Sequence, residues 1–248
     1  MQSHGTLTAL KTRRAVGVCL RGAGACHASR RGSLIDVIGC CAKSGYDRLF
    51  DERQARRDAM RYRRKGLDPA ARWIVEVARD HGIHGAVVLE PGGGVGAIQI
   101  ELLKSGARRS TVVELSKRYD EEAMRLARDA GMERRIHRRL GDFSSTDVEP
   151  ADVVVMHRVV CCYPDHEQLL RAASDRARRL LVFTYPPPHL GLRLFVAMAN
   201  LWMRLRRNPF RVCAHPVPAL REAVERRGFE LVAQRRRGLW KGMAFVRR

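Results

Sequence analysis

AVVLEPGGGVGA, residues 86–97, joins an apolar run, a carboxylate and a glycine-rich turn. Ala86 to Leu89 are apolar without alternation, as a parallel strand covered on both faces should be. Gly92, Gly93, Gly94 and Gly96 follow, where the main chain can take positive φ and a ligand can lie against backbone that no Cβ guards. Ile98, Ile100, Leu102 and Leu103, with polar residues between, continue as a short helix to Gly106. The N–H groups of its first turn face the glycines, so the unit builds a nucleotide-shaped pocket.

Downstream the pattern repeats. Ser110 to Leu115 reads as a β-branched strand carrying Glu114 at its end, and a helix from Lys117 to Ala130 is closed by Gly131. A third strand, Ile136 to Leu140, ends at Gly141-Asp142-Phe143, and Asp152 to Met156 is a fourth. A helix from His166 to Arg176 leads to a fifth, Arg179 to Thr184. This alternation predicts an α/β fold with a doubly wound, mostly parallel, Rossmann-like sheet. Phe229 to Ala233 and Met243 to Val246 add an antiparallel C-terminal hairpin, making seven strands.

Upstream, Tyr46 to Lys65 is dense in arginine and reads as a mostly solvated basic helix, with Leu49, Phe50, Met60 and Tyr62 as its apolar surface. Asp68-Pro69 has the N-cap and N1 arrangement of a second helix, whose buried stripe is Ile74, Val75, Val77 and Ala78. The expected organisation is a poorly ordered extension (1–40), N-terminal basic helices (41–82) and a Rossmann-like domain (83–248). An amphipathic helix from Leu190 to Arg206 and the loop after it form a helical lid, 189–216.

At 248 residues and 45% hydrophobic composition the chain can bury a full core. No run reaches the ~18 apolar residues of a membrane span; the best, Leu190 to Met203, carries Arg193. Lys11, Arg13 and Arg14 precede an apolar stretch cut short by Arg21, too brief for a signal peptide, so a cytoplasmic location is expected. Seven cysteines, with Cys40-Cys41 and Cys161-Cys162 adjacent, suit neither a disulfide framework nor a metal knuckle, and no metal site is expected. The net charge of +21 divides into +10 for residues 1–66, −3 for 67–170 and +14 for 171–248. The pocket-building core is thus slightly acidic. Only six of the 47 basic residues are lysine, the usage of a GC-rich genome; an anionic partner such as RNA or a membrane surface is the other reading of the flanks.

The turn fits two templates. Gly92, Gly94 and Ala97 satisfy the dinucleotide pattern GxGxxG/A, with Glu114 placed for a ribose diol, which would make an NAD-dependent oxidoreductase. Glu90, Gly92, Gly94 and Gly96 satisfy [DE]-x-G-x-G-x-G, in which a carboxylate ends the strand. That carboxylate is awkward beside an anionic pyrophosphate and comfortable beside a cationic amino group and a sulfonium.

Residues 67–248 resemble the class I S-adenosylmethionine-dependent methyltransferases on three motifs in register: Glu90 to Gly96, Glu114, and Gly141-Asp142-Phe143. The resemblance implies S-adenosyl-L-methionine as cofactor, held by Glu90, Gly92, Gly93, Gly94, Gly96, Glu114, Leu115, Asp142, Phe143 and His157. It assigns Glu114 to the ribose hydroxyls, Asp142 to the adenine amino group and Phe143 to the adenine ring. The family pattern usually has aspartate, an aliphatic residue and a small residue where this chain has Glu90, Pro91 and Gly93.

The segment leaving the fourth strand, His157 to Asp165, is expected to face the methyl group. His157 is the candidate base or acceptor-orienting residue, Tyr163 a second catalytic candidate, and Arg158 and Tyr185 candidates for the acceptor pocket. Cys161 and Cys162 lack the Pro-Cys pair of base-carbon methyltransferases, and no Asn/Asp-Pro-Pro-aromatic motif follows the fourth strand, which argues against adenine methylation. The basic entrance helix, Tyr163-Pro164, the insertion after strand five and Gly228-Phe229 are similar in layout to magnesium-protoporphyrin and related small-molecule O-methyltransferases. That layout implies a small lipophilic or anionic acceptor, methylated on oxygen. An RNA- or membrane-associating protein with a vestigial pocket is the alternative outside enzymology.

Overall fold

The sheet runs β3-β2-β1-β4-β5-β7-β6 in a computed structural model that describes residues 45–187, 190–237 and 239–248. The expected extension 1–40 lies outside the described residues, with Cys19, Cys26, Cys40 and Cys41. Strands β1 (Val87–Pro91), β2 (Arg109–Glu114), β3 (Ile136–Leu140), β4 (Ala151–Met156) and β5 (Ala177–Tyr185) are parallel, and β7 (Trp240–Arg247) pairs antiparallel with both β5 and β6 (Phe229–Arg237). The strand order departs in opposite directions from β1 and β4, and at such a switch point the connecting loops splay to leave a crevice over the strands' carboxyl ends.

Both faces of the sheet are covered, which is why β1 and β4 carry no polar alternation. Side chains two apart share a face. Leu89, Val154, Met156, Leu181 and Phe183 therefore pack with α5 (His166–Arg176) and α7 (Val217–Glu225), through Leu169, Leu170, Leu220 and Val224. Val88, Val153, Val155, Leu180 and Val182 pack with α2 (Pro69–Asp80) and α3 (Ala97–Lys104), through Trp73, Ile74, Ile98 and Leu102.

Gly242 of β7 lies directly beneath the Trp73 ring, and a Cβ there would fall inside the indole's van der Waals envelope. Trp73 is only 3% exposed and cannot swing out without opening the core. Gly242→Ala is expected to lower unfolding free energy by about 1–3 kcal/mol, read as a reduced urea midpoint with an unchanged slope.

The region 46–65 is not one solvated helix. A helical turn (45–49) breaks at Phe50, and Asp51 caps α1 (Glu52–Lys65) by accepting from the Gln54 N–H at 2.8 Å. The buried face is the i, i+4 pair Ala55 and Ala59, which lets α1 sit close to Tyr119 and to Leu126 of α4 (Asp120–Asp129), while Met60 is left 52% exposed. The hairpin is longer than expected, with β6 reaching Arg237 and β7 beginning at Trp240. α6 (Leu190–Leu205) packs inward through Val196 and Met203, and its return loop places Phe210 against Tyr46 and Phe50, with centroids 5.2 and 5.9 Å away.

Candidate active site

The crevice is a cavity of about 390 Å³ over the carboxyl ends of β1, β2 and β4, within the size range of small-molecule sites. Its floor is the glycine turn. Gly94 takes φ +53°, and this turns its N–H onto the Glu114 carboxylate at 2.9 Å. Gly93 has no such φ, but a Cβ there would stand 2.9 Å from both Glu90 Oε2 and Gln99 Nε2. Gly92, Gly93 and Gly94 line the cavity, whereas Gly96 caps α3 just outside it.

Glu90 is 2% exposed, and its Oε2 has no hydrogen-bond partner. Burial pushes its pKa up to about 8; neighbouring Gln99 and Arg138 only partly oppose this. Glu90 therefore keeps its proton in the empty cavity at neutral pH, and ionising it there is costly unless a donor or cation arrives. A ligand ammonium group meets that need, and a pyrophosphate would worsen it.

Glu114 ends β2 and is 7% exposed. Besides Gly94, the N–H groups of Leu115 and Ser116 donate to its carboxylate, at 2.8 and 3.2 Å. The side chain is thereby fixed with its oxygens at the cavity edge, between the glycine turn and Leu115. Gly141 and Phe143 line the same cavity. Asp142 does not: its carboxylate accepts from the Ser144 N–H and hydroxyl and from Tyr163 Oη, at 2.8, 2.9 and 3.0 Å. Burial raises the Tyr163 pKa, and the Asp142 charge adds to it, so the phenol keeps its proton at neutral pH.

His157 follows β4 directly. Its Nε2 is 3.1 Å from Asp68 Oδ2 and its Nδ1 3.0 Å from Thr184 Oγ1, while the Arg158 N–H donates to the same Thr184 oxygen. A carboxylate only accepts, so the ring proton sits on Nε2 and Nδ1 accepts from the Thr184 hydroxyl. Burial pushes the His157 pKa down and the Asp68 contact opposes it incompletely, leaving a neutral ring. Burial would raise Asp68, but the His157 and Ala71 hydrogen bonds and the Arg158 charge outweigh it and hold the carboxyl well below its usual range.

Arg158 holds φ 61°, a strained conformation for a non-glycine residue of the kind that gathers at functional sites. Its guanidinium donates to Asp68 at 2.8 Å and lies 5.2 Å from the Trp240 ring, and its Nε has no partner. Tyr185 sits elsewhere: it is 1% exposed, its hydroxyl accepts from Gln234, and it does not line the cavity. Cys162 lines the wall and Cys161 is buried, both as free thiols.

Further wall comes from residues that the sequence pattern did not mark as site residues: Gln54, Asp58 and Arg61 of α1, together with Tyr119 and Asp68. Tyr119 donates to Asp58 at 3.1 Å, tying α1 to the loop after β2. Among the described residues, 189–216 contributes no wall residue to this cavity. No group of three or more His, Cys, Asp or Glu among them is placed to hold a metal.

A family profile described as a methyltransferase domain matches residues 48–234. No curated protein sequence matches the chain. Magnesium protoporphyrin IX methyltransferase (ChlM) from Synechocystis PCC 6803, solved with SAH, is similar in structure at TM-score 0.60 and 20% identity, over 72% of this chain and 82% of that one. An O-methyltransferase family 2 protein from Planctomyces limnophilus, in complex with apigenin, superposes at TM-score 0.60 and 18% identity, over 79% and 62%. An O-methyltransferase family protein from Burkholderia thailandensis gives 0.58 and 16%, over 71% and 56%. At these identities the likeness establishes the fold; the profile, spanning most of the chain and the whole glycine-turn unit, establishes that the chain belongs to the methyltransferase-domain family of S-adenosylmethionine-dependent enzymes.

Proposed function

We propose that this methyltransferase transfers a methyl group to an oxygen atom of a small lipophilic acceptor bearing a carboxylate. The carrying observation is a pair of atoms without partners on two residues that line one cavity: Glu90 Oε2, open to a donor or cation, and Arg158 Nε, a donor open to an acceptor such as a carboxylate oxygen. Glu90 would take the cofactor's ammonium group, Glu114 its ribose hydroxyls, and Leu115, Gly141 and Phe143 its adenine end. The bound cofactor supplies an electrophilic methyl group on a sulfonium.

The protein's own contribution is positioning and water exclusion. A carboxylate is already ionised at neutral pH, so no base has to remove its proton. That suits His157, whose ring nitrogens are both engaged, and Tyr163, which stays protonated. His157 is therefore assigned to shape the acceptor pocket and to hold Asp68 and Arg158 in place. Tyr163, through Asp142 and Ser144, holds the loop after β3. Gly96 acts from outside the cavity by turning the chain into α3. An odd number of cysteines with two adjacent pairs, which suits no disulfide framework, supports a reducing, cytoplasmic setting.

Calorimetry with S-adenosylhomocysteine and with NADH tests the cofactor, and binding of NADH alone would overturn the reading. With labelled S-adenosylmethionine, lipophilic carboxylic acids are expected to gain base-labile methyl esters. Stable N-methyl products from an amine panel, with no ester, would move the acceptor atom from oxygen to nitrogen.

A further inference from the structure

α6 presents an apolar face that nothing among the described residues covers. Leu190, Leu194, Phe195, Met198, Leu201, Trp202 and Leu205 are each more than half exposed, with Leu190 at 81% and Leu205 at 76%. At 100° per residue these positions fall within an arc of about 140°. That arc holds no charged residue; Gly191 is its only other member. Val196 and Met203, on the opposite side, anchor the helix to the protein. A lid closing on its own domain would turn the large side chains inward, and here they turn outward.

The border of the stripe is basic. Arg204 and Arg206 are exposed at the C-terminal end, with Arg207 just beyond, and the Arg206 guanidinium lies 4.7 Å from the Trp202 ring. No acidic residue occurs between Asp175 and Glu222. A continuous apolar stripe with Trp and Phe at its edge and arginines beside it matches the acyl and headgroup layers of an anionic bilayer, with the helix lying in the interface plane. RNA would engage the arginines and leave seven apolar side chains in water. A second copy of this chain would bring the same arginines together. No helix among the described residues is long and apolar enough to cross a membrane, so contact would be peripheral.

We propose that α6 docks this enzyme on an anionic lipid surface. The docked helix also connects to the cavity. Its return loop carries Phe210, which packs on Tyr46 and Phe50, and both of these line the cavity. Asn200 of α6 holds that loop by exchanging two 2.9 Å hydrogen bonds with Val212. Along this chain of contacts a lipophilic acceptor drawn from the bilayer would reach the Tyr46 and Phe50 wall. This last step rests on the proposed acceptor class, whereas docking itself does not.

The test is sedimentation of the full chain with phosphatidylcholine vesicles, with and without phosphatidylglycerol. Binding to the anionic vesicles, weakened by salt and accompanied by a blue shift of tryptophan emission, is expected. The Phe195→Asp/Trp202→Asp double variant should lose at least about tenfold in vesicle partition while binding S-adenosylhomocysteine as the parent does. That control separates failure of docking from failure of the cofactor reading. No vesicle binding, vesicle binding unchanged in the double variant, or self-association abolished by the variant without vesicle binding would each overturn the proposal. Binding of single-stranded RNA in place of vesicles, unaffected by the two substitutions, would overturn it as well.

Discussion

Glu114→Ala is expected to weaken S-adenosylhomocysteine binding by about 100-fold or more, measured by calorimetry. Two hydroxyl donors to one fixed carboxylate are worth about 1.5–3 kcal/mol each, and each 1.4 kcal/mol is tenfold in affinity. The carboxylate has a second duty, because the N–H groups of Gly94, Leu115 and Ser116 all end on it. Removing it frees the glycine turn from β2 as well as deleting the ribose contact. Glu114→Gln separates the two effects: its amide oxygen can still accept from part of that set, but it carries no charge. The glutamine variant should fall between parent and alanine in affinity while keeping most of the parent's urea stability. An alanine variant that binds within about threefold of the parent would remove Glu114 from the site.

The parts of this site that lie within one βα unit are legible in the chain, and those brought in by docking are not. Glu90 and the glycines follow one another along the turn, and Glu114 sits one strand later, so local pattern suffices. Asp68 was readable only as an N-cap, which it is, accepting from Ala70 and Ala71 at 3.0 and 3.1 Å. Its second oxygen meets His157 across 89 residues, and no periodicity encodes that meeting. α1 misled because its docking face is two alanines, which carry little hydropathic signal against six arginines and a lysine. The Ala55, Ala59 spacing was the available clue. At the end of β5 neither Tyr185, expected in the acceptor pocket, nor its neighbour Thr184 lines the cavity. Side chains alternate across a sheet, and Thr184, not Tyr185, faces His157.

Glu90→Gln is expected to stabilise the cofactor-free protein at alkaline pH and to weaken its hold on the cofactor. The group's pKa is raised in the fold, from 4.5 to about 8, so the native state keeps a proton that the unfolded chain releases. Its contribution to stability is therefore full below pH 4.5 and is lost as pH rises through about 8. By linkage the loss approaches a value on the order of 4–5 kcal/mol once the group is ionised. Glutamine never ionises, so urea midpoints of the variant should decline less than the parent's between pH 5 and 9, and the two profiles should separate most at the alkaline end. Binding runs the other way. An ammonium group favours the carboxylate, so the parent should release a proton on binding S-adenosylhomocysteine between pH 6 and 8, seen as a dependence of the calorimetric heat on buffer ionisation. The variant should release none from this group and bind about 10- to 100-fold more weakly, as expected for loss of one charge-assisted contact. Parallel stability profiles together with undiminished binding would show that the buried carboxylate faces no ligand. The predicted pattern instead marks Glu90 as a residue whose burial strains the empty fold, with the compensation arriving when a cation enters the cavity.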